Sequence, residues 1–503
     1  MGNAVGAPET LEDHLRRATR NFSARLPEER AVTLAAELAR ELARAHAESP
    51  PRHPDLDPAT VVIVDGHPRL DGAASETPAP DAAEDLFRLG GVLYFMATGE
   101  RPDVSWRLDG PPAGALSTLA RQAALIALSA PRTGDRFASA SQAASSLEAA
   151  VAPVPTGAPP WPMFRGDASR RGARPATAPV ASLLVAWESR VGAVTASPIL
   201  TSSLAIAPTA DGRLVFLDRA SGRRVHEMRL ASAVESSPAL SDRVLHVGTD
   251  DGEVVGVDVV DGTERYRVRL GRLVRSSPLP WQDRVFVGTV DDKGAGGVAS
   301  LDAAKGKLLW MRKTGPVFSS PALAGDTILV GSDDGSVYAL DAAKGTVSWA
   351  ERLGAKVRAT LAVAEDVAIA ADFEGRLVAL RVKDGTRAWT ADLGHAVYSS
   401  PCLAGGLCVV GCHEGHVHGL DGRTGAPRFQ VQTRGPVIGS PVAAGERFLV
   451  ASTDGTLYLL DAEGRVLHQV SLSSQGVQSS PALDGDAVAV GSAEGLHGLR
   501  LTP

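Results

Sequence analysis

One five-residue phrase recurs eight times in the second part of the chain and limits the fold more than any other feature. It consists of a valine, a variable residue, two small residues and a final residue that is usually proline. Successive copies are 40 residues apart, except for one step of 43. A fixed period of this length is typical of stacked or circular repeat folds. The phrase begins at Val194, Val234, Val274, Val317, Val357, Val397, Val437 and Val477.

Each copy has the pattern of short β-strands. Alternating apolar runs are separated by acidic-glycine pairs such as Asp334-Gly335, which are typical of tight hairpins because glycine adopts positive φ without a steric penalty. Four short strands per copy predict a propeller blade. The last copy ends without a fourth strand, and an extra apolar run at 183–187 precedes the first copy. We therefore predict an all-β, eight-bladed propeller of four-stranded antiparallel blades over residues 161–503, with an amino-terminal strand joining its ends.

These repeats resemble the pyrroloquinoline-quinone-type repeat. The shared features are the Ser-Ser-Pro phrase, the Asp-Gly hairpins, a tryptophan in the fourth run (Trp310, Trp349 and Trp389) and the opening segment Trp161-Pro162-Met163-Phe164-Arg165-Gly166-Asp167. The resemblance implies the fold, whereas the function stays open because this fold hosts enzymes, assembly scaffolds and sensors. Quinoprotein dehydrogenases of the family use a vicinal disulfide, and no two cysteines are adjacent here. The tryptophans share one repeat position, which favours packing between blades. We expect no quinone and no other cofactor.

The variable residue after each repeated valine is the candidate binding position. If the first strand of each blade lines the channel, the valine packs between sheets and its neighbour faces the opposite side. Two arginines, one glutamate and two aromatic residues suit a small anionic ligand or a peptide. The simpler interpretation is that these channel side chains only contact water. The ring is Thr195, Glu235, Arg275, Phe318, Arg358, Tyr398, Ile438 and Gln478.

The sixth copy concentrates cysteine and histidine. A metal site at Cys412, His413 and His416 is one interpretation. The repeat alignment favours another, since Cys402 takes the place of Ala239 and Cys408 that of Leu245, and cysteine often packs as a small apolar residue. We therefore expect no metal.

The first 150 residues have a different pattern. Apolar residues at helical spacing predict helices over residues 33–47, 85–98 and 141–151. The stretch from His53 to Ile63, the helix that begins at Asp85, and the phrase that begins at Asp135 resemble the carboxy-terminal lobe of a protein kinase. An unrelated helical domain is the alternative.

The resemblance to kinases does not extend to the catalytic groups. Phosphoryl transfer needs a glycine-rich loop, a strand lysine and magnesium-binding Asp and Asn residues. The first lysine of this chain is Lys293, and Asp57 and Thr60 occupy the catalytic-loop Lys and Asn positions. Only Asp55 and Asp71 remain as vestigial kinase positions. We therefore predict a degenerate, pseudokinase-like lobe over residues 1–150 and a proline-rich linker over 151–160.

Composition limits the partners. The net charge of −7 provides no basic surface for nucleic acid, and no apolar run has the length of a membrane span. Three cysteines and no secretory signal suit the cytoplasm. We expect a monomeric, non-catalytic interaction or sensor protein whose propeller binds a protein segment or small ligand. The alternatives are a quinoprotein-like oxidoreductase, or a kinase-related protein completed by a partner chain.

Overall fold

A computed structural model of the chain describes residues 9–18, 25–48, 56–64, 67–70, 82–102, 139–151, 161–176, 179–230 and 232–503, with single positions at 116, 118, 121, 122, 124, 125, 128 and 137. These residues form two compact units that divide near residue 155. The linker predicted at 151–160 lies almost wholly outside the described residues, so its bounds stay a prediction. Within the described ranges, no helix has both the length and the apolar composition needed to cross a membrane.

The described residues of the amino-terminal unit form helices and a small antiparallel sheet. The helices are α1 (Leu11–Ala18), α2 (Glu28–His46), α3 (Ala82–Thr98) and α4 (Ala140–Val151), and the strands are β1 (Glu9–Thr10), β2 (Val61–Val64) and β3 (His67–Leu70). The three predicted helices are confirmed, and α2 begins five residues earlier than expected. Acidic residues in its first turn and basic residues in its last turn favour the helix dipole. The apolar faces of α2, α3 and α4 share one core.

The second unit is an eight-bladed propeller, as predicted. The four strands of each blade form an antiparallel sheet, in chain order except for the fourth strand of blade 8, and the first strands of neighbouring blades lie side by side around the channel. Blade 1 contains β6 (Ile199–Leu200), β7 (Leu204–Pro208), β8 (Arg213–Asp218) and β9 (Arg224–Arg229). Blade 2 contains β10 (Ala239–Ser241), β11 (Val244–Gly248), β12 (Glu253–Asp258) and β13 (Glu264–Arg269). Blade 3 contains β14 (Leu279–Trp281), β15 (Arg284–Val290), β16 (Gly296–Asp302) and β17 (Leu308–Thr314). Blade 4 contains β18 (Ala322–Ala324), β19 (Thr327–Gly331), β20 (Ser336–Asp341) and β21 (Val347–Arg352).

The remaining blades close the ring. Blade 5 contains β22 (Ala362–Ala364), β23 (Val367–Ala371), β24 (Arg376–Arg381) and β25 (Arg387–Asp392). Blade 6 contains β26 (Cys402–Ala404), β27 (Leu407–Gly411), β28 (His416–Asp421) and β29 (Pro427–Gln432). Blade 7 contains β30 (Val442–Ala444), β31 (Arg447–Ala451), β32 (Thr456–Leu460) and β33 (Val466–Ser471), joined by the short parallel strand β4 (Ala173–Arg174). Blade 8 contains β34 (Ala482–Asp484), β35 (Ala487–Gly491) and β36 (Leu496–Thr502), and its fourth strand is the amino-terminal β5 (Ser182–Ser189). The predicted closure is therefore confirmed.

Fourth-strand aromatic residues pack between blades. The Trp310 ring lies against Gly345 of the next blade, where a Cβ atom would come within 2.6 Å of the ring. Its indole N–H donates to the Ala342 carbonyl at 3.2 Å. Trp349 and Trp389 repeat this arrangement. The glycine of each turn thus provides the space that the neighbouring indole fills.

Serine and threonine hydroxyls link all eight blades into a closed ring, which we call the hydroxyl belt. Each hydroxyl oxygen accepts a hydrogen bond of 2.8–3.1 Å from the backbone N–H at the same position of the preceding blade. The ring closes where Ser480 N–H donates to Ser197 Oγ. Each such bond contributes about 1 kcal/mol net. The belt is Ser197, Ser237, Ser277, Ser320, Thr360, Ser400, Ser440 and Ser480.

The opening segment, residues 161–174, runs along the inner edges of six blades. Its carbonyl groups accept hydrogen bonds of 2.7–3.1 Å from the second residue of the first strand of each of those blades. Proline at this position of blade 3, Pro280, has no N–H to donate. The donors are Leu200, Leu240, Leu323, Val363, Leu403 and Ala443.

Two arginines of the opening segment are buried among the phrases. Arg170 donates to the carbonyls of Pro278 and Pro321 at 2.8 and 3.0 Å, and Arg165 donates to those of Pro401 and Pro441 at 2.5 and 3.2 Å. Burial lowers the pKa of Arg170 to about 9, still above neutral pH. Carbonyl dipoles therefore hold two buried cations, which connect blades 3 and 4 and blades 6 and 7.

Candidate functional site

The predicted ring residues lie where each phrase enters its blade, but they are not in strands. In blade 2, β10 begins only after Pro238, so Glu235 lies in irregular backbone. The prediction that side chains alternate along a strand at these positions is therefore wrong. The backbone of the phrase bonds to hydroxyl groups of the next blade, and the β-strand begins only after the phrase. The repeated valines are buried, as predicted. Each ring residue lies two positions before the belt residue of its phrase, whereas the opening segment accepts hydrogen bonds from residues that follow the belt. The ring therefore surrounds the end of the channel on the side of the belt opposite to the opening segment. We call this end the mouth.

The structure brings part of the ring into one row of side chains. The guanidinium of Arg358 lies 4.3 Å from the centre of the Phe318 ring and 5.3 Å from that of Phe373. The Phe373 ring centre is 4.4 Å from that of Tyr398, which in turn lies 5.3 Å from that of His413. We call these five residues the aromatic row.

Ion pairs fix the two arginines of the mouth. Arg358 binds Asp333 through Nε and Nη2 at 2.8 and 2.7 Å. Arg275 binds Asp250 in the same two-pronged way at 2.9 and 2.7 Å and lies 3.0 Å from Glu235 Oε2. The hydrogen bonds to Asp250 and Asp333 raise the pKa of Arg275 and of Arg358, respectively. Paired and half-buried, both guanidinium groups are held in place.

Sequence reasoning missed the hairpin positions that complete this mouth. Asp250, Asp333, Phe373 and His413 each stand two residues before a hairpin glycine and fifteen residues after the variable residue of their own blade. Each contacts a ring residue, and this constant spacing was the available signal. The ring residues Thr195, Ile438 and Gln478 occupy the other side of the mouth and take no part in the row.

The charges of the mouth are balanced. Arg275, Arg358 and Lys356 face Glu235, Asp250 and Asp333, so three positive charges meet three negative ones. A small anion would have to displace a bound carboxylate. The mouth therefore offers aromatic faces and fixed ion pairs rather than excess positive charge.

The cysteine-histidine group of blade 6 does not form a cluster. Cys412 is buried in an apolar cluster with Cys408, whereas His413 is exposed at the mouth. Burial raises the pKa of Cys412 to about 12. Among the described residues, no three His, Cys, Asp or Glu side chains are arranged to hold a metal ion. The vestigial kinase positions Asp55 and Asp71 lie outside the described residues.

A buried histidine in blade 2 makes hydrogen bonds that resemble a nucleophile-base pair. His246 Nε2 lies 2.8 Å from Ser241 Oγ, and its Nδ1 lies 2.6 Å from Tyr266 Oη. The imidazole is fully buried, and Tyr266 packs on Gly306 of the next blade. We interpret this group as a packing network.

Acid is expected to destabilise the propeller through His246. Burial lowers the pKa of this imidazole to about 3, whereas an unfolded histidine binds a proton below about 6.5. The free energy of unfolding should therefore fall as the pH decreases from about 6.5 towards 3, by about 1.4 kcal/mol per pH unit from this residue. Urea unfolding at several pH values measures how the free energy of unfolding depends on pH, and this dependence should be weaker for His246→Gln than for wild type. His413→Gln, at an exposed histidine, serves as a control. An equally weak pH dependence in the control would contradict the role of His246.

The fold and the repeat chemistry define an eight-bladed propeller of the pyrroloquinoline-quinone-like class. Residues 193–496 match the family described as the β-propeller of the β-alanine-activating enzyme, and the chain belongs to this family. No curated protein matches its sequence significantly.

Solved structures share the fold at low sequence identity. BamB from Moraxella catarrhalis is 18% identical, with a TM-score of 0.55 over 63% of this chain and 100% of its own. The quinohemoprotein alcohol dehydrogenase from Comamonas testosteroni is 14% identical, with a TM-score of 0.61 over 68% and 80%. A europium-containing methanol dehydrogenase is 14% identical, with a TM-score of 0.59 over 67% and 90%. The likeness therefore extends to dehydrogenases and to BamB alike, and at these identities it concerns the fold alone.

Proposed function

We propose that this protein is a non-catalytic interaction or sensor protein whose propeller mouth binds a segment of a partner protein. The aromatic row is the observation that carries the proposal. It occupies one side of the mouth, whereas the opposite side carries Ile438, Gln478 and Thr195. Because all eight blades share one backbone, this difference is not needed for folding.

The composition of the row favours a protein ligand. Tyr398 is 41% exposed, and aromatic residues and arginine dominate the binding energy of protein interfaces. The balanced charge of the mouth argues for a peptide rather than a small anion. The buried valines and the hydroxyl belt hold the row rigidly, which reduces the entropy lost on binding.

The amino-terminal unit completes the proposal as a docking module derived from a kinase lobe. Helix α2, the β2–β3 hairpin and the buried helix α3 follow one another in the order of the resemblance. His46 Nε2 lies 2.8 Å from the buried Asp85 Oδ2, which ties α2 to α3. A monomeric protein of the cytoplasm is part of the same proposal.

The second candidate is a quinoprotein-like oxidoreductase, because an alcohol dehydrogenase and a methanol dehydrogenase share the propeller fold. All three cysteines are free and buried, and none is adjacent to another. Titration with pyrroloquinoline quinone and calcium, followed by absorbance, separates the candidates. Stoichiometric quinone binding would contradict the non-catalytic proposal.

Photo-cross-linking tests the proposed mouth directly. A photoreactive phenylalanine in place of Tyr398 should capture a partner in cells, whereas the same group in place of Gln478 should not. Once the partner is identified, Arg358→Ala with Phe373→Ala should weaken its binding at least about tenfold, as for truncated interface anchors. Thr195→Ala is the matched control. Equal affinity of all three proteins would place the binding surface elsewhere.

A further inference from the structure

We propose that the outer strand of blade 3, β17, is a second docking site, which binds an acidic segment of a partner protein in extended conformation. The two blades on either side, blades 2 and 4, serve as internal controls, because a feature that both lack is not required by the shared fold. Blade 3 differs from these neighbours in its strand length, its charge and its exposed apolar residues. These departures meet at β17.

The first departure is length. The single 43-residue step gives blade 3 a longer hairpin, and β15, β16 and β17 each have seven residues. β17 spans about 23 Å at roughly 3.3 Å per residue. It is the last strand of its sheet, and no described strand pairs with its outer edge. Its outer backbone groups are therefore available for strand addition.

The second departure is exposed apolar surface. Leu308, Leu309 and Met311 are 44%, 39% and 42% exposed. Trp310 and Arg312 face the other way and donate to carbonyls of blade 4. Because side chains alternate along a strand, Leu309, Met311 and Lys313 share the opposite face.

The third departure is charge. Residues 303–314 contain three lysines and one arginine but no acidic residue, a net charge of +4, whereas the corresponding segments 259–270 and 342–353 of the neighbouring blades each carry +1. Lys305, Lys307 and Lys313 are exposed and form no ion pair with any carboxylate of the described residues. Arginines of the neighbouring β13, such as Arg267, are instead paired with glutamates.

These three departures select one occupant. An extended segment that alternates apolar and acidic residues would pair with the free edge, cover Leu309 and Met311, and neutralise the lysines. A basic or neutral segment would leave these positive charges uncompensated.

Binding of designed peptides to the full-length protein tests this site by fluorescence anisotropy. A labelled peptide in which valine alternates with glutamate should bind, should weaken as salt increases, and should bind better than a peptide of valine and lysine. Lys307→Glu with Lys313→Glu should weaken binding at least about tenfold because two attractions become repulsions, and Leu309→Asp should also weaken it. The controls Lys383→Glu in blade 5 and Leu467→Asp, at the position of Leu309 in blade 7, should bind like wild type. If the lysine variant retains its affinity, or both peptides bind equally, the lysines only guard the edge against aggregation and the proposal is wrong.

Discussion

Arg170→Met is expected to destabilise the propeller by about 3–5 kcal/mol, because buried carbonyls left without a donor cost roughly 1–3 kcal/mol each. The Arg170 guanidinium donates to the carbonyls of Pro278, Pro321 and Phe164 and is fully buried. Methionine fills part of the volume but donates no hydrogen bond. The midpoint of urea unfolding should fall accordingly, and Arg165→Met should have a similar effect.

Arg171 provides the matched control within the same segment. Its side chain is 51% exposed, and its nearest described carboxylate, that of Asp167, lies 3.7 Å away. Arg171→Met should therefore change stability by less than about 0.5 kcal/mol, as for other exposed ion pairs. Equal losses for Arg170 and Arg171 would show that the opening segment does not hold the blades through its buried guanidinium groups.

Gly331→Ala is expected to cost about 2–4 kcal/mol through overpacking and a lost buried hydrogen bond. A Cβ atom at this position would lie 2.3 Å from Val357 Cγ1 and 2.6 Å from its carbonyl oxygen. The backbone would have to shift away from Ser319, whose Oγ accepts a 2.7 Å hydrogen bond from Gly331 N–H. This glycine is therefore needed for space and not for an unusual φ.

The repeat itself contains the compensating change. Where the first small residue of the phrase is serine, the residue twelve positions later is glycine, and where it is alanine or glycine that residue is proline or alanine. The serines at 236, 276, 319, 399 and 479 are followed by the glycines at 248, 288, 331, 411 and 491. The exceptions are Ala196 with Pro208, Ala359 with Ala371 and Gly439 with Ala451.

A double-mutant cycle tests this coupling. Ser319→Ala with Gly331→Ala recreates the pair Ala359 and Ala371 of blade 5. The double variant should be more stable than the sum of the single changes by about 1 kcal/mol, since contacting residues are not additive. Unfolding free energies of the four proteins measure the difference. Strict additivity would show that the pairing in the sequence has no energetic basis.

The candidate site could be predicted only in part from the repeat. The variable residue marked Arg275, Phe318, Arg358 and Tyr398 because it differs between otherwise equal copies. Phe373 and Asp333 were missed since they belong to another hairpin and reach the ring only when adjacent blades meet. The anionic ligand was inferred from arginines whose carboxylate partners stand 25 residues earlier in the chain.

The sequence alone determined the number of blades, the four strands in each and the closing role of the apolar run at 183–187, because period, alternation and turn chemistry are local properties. Tertiary structure decided what the local pattern leaves open. It placed the variable residues ahead of the strands, joined the second small residue of each phrase, a serine or a threonine, into the closed hydroxyl belt, and buried Arg165 and Arg170 among carbonyls from four blades. These features depend on atoms from different repeats that meet only when the ring is closed.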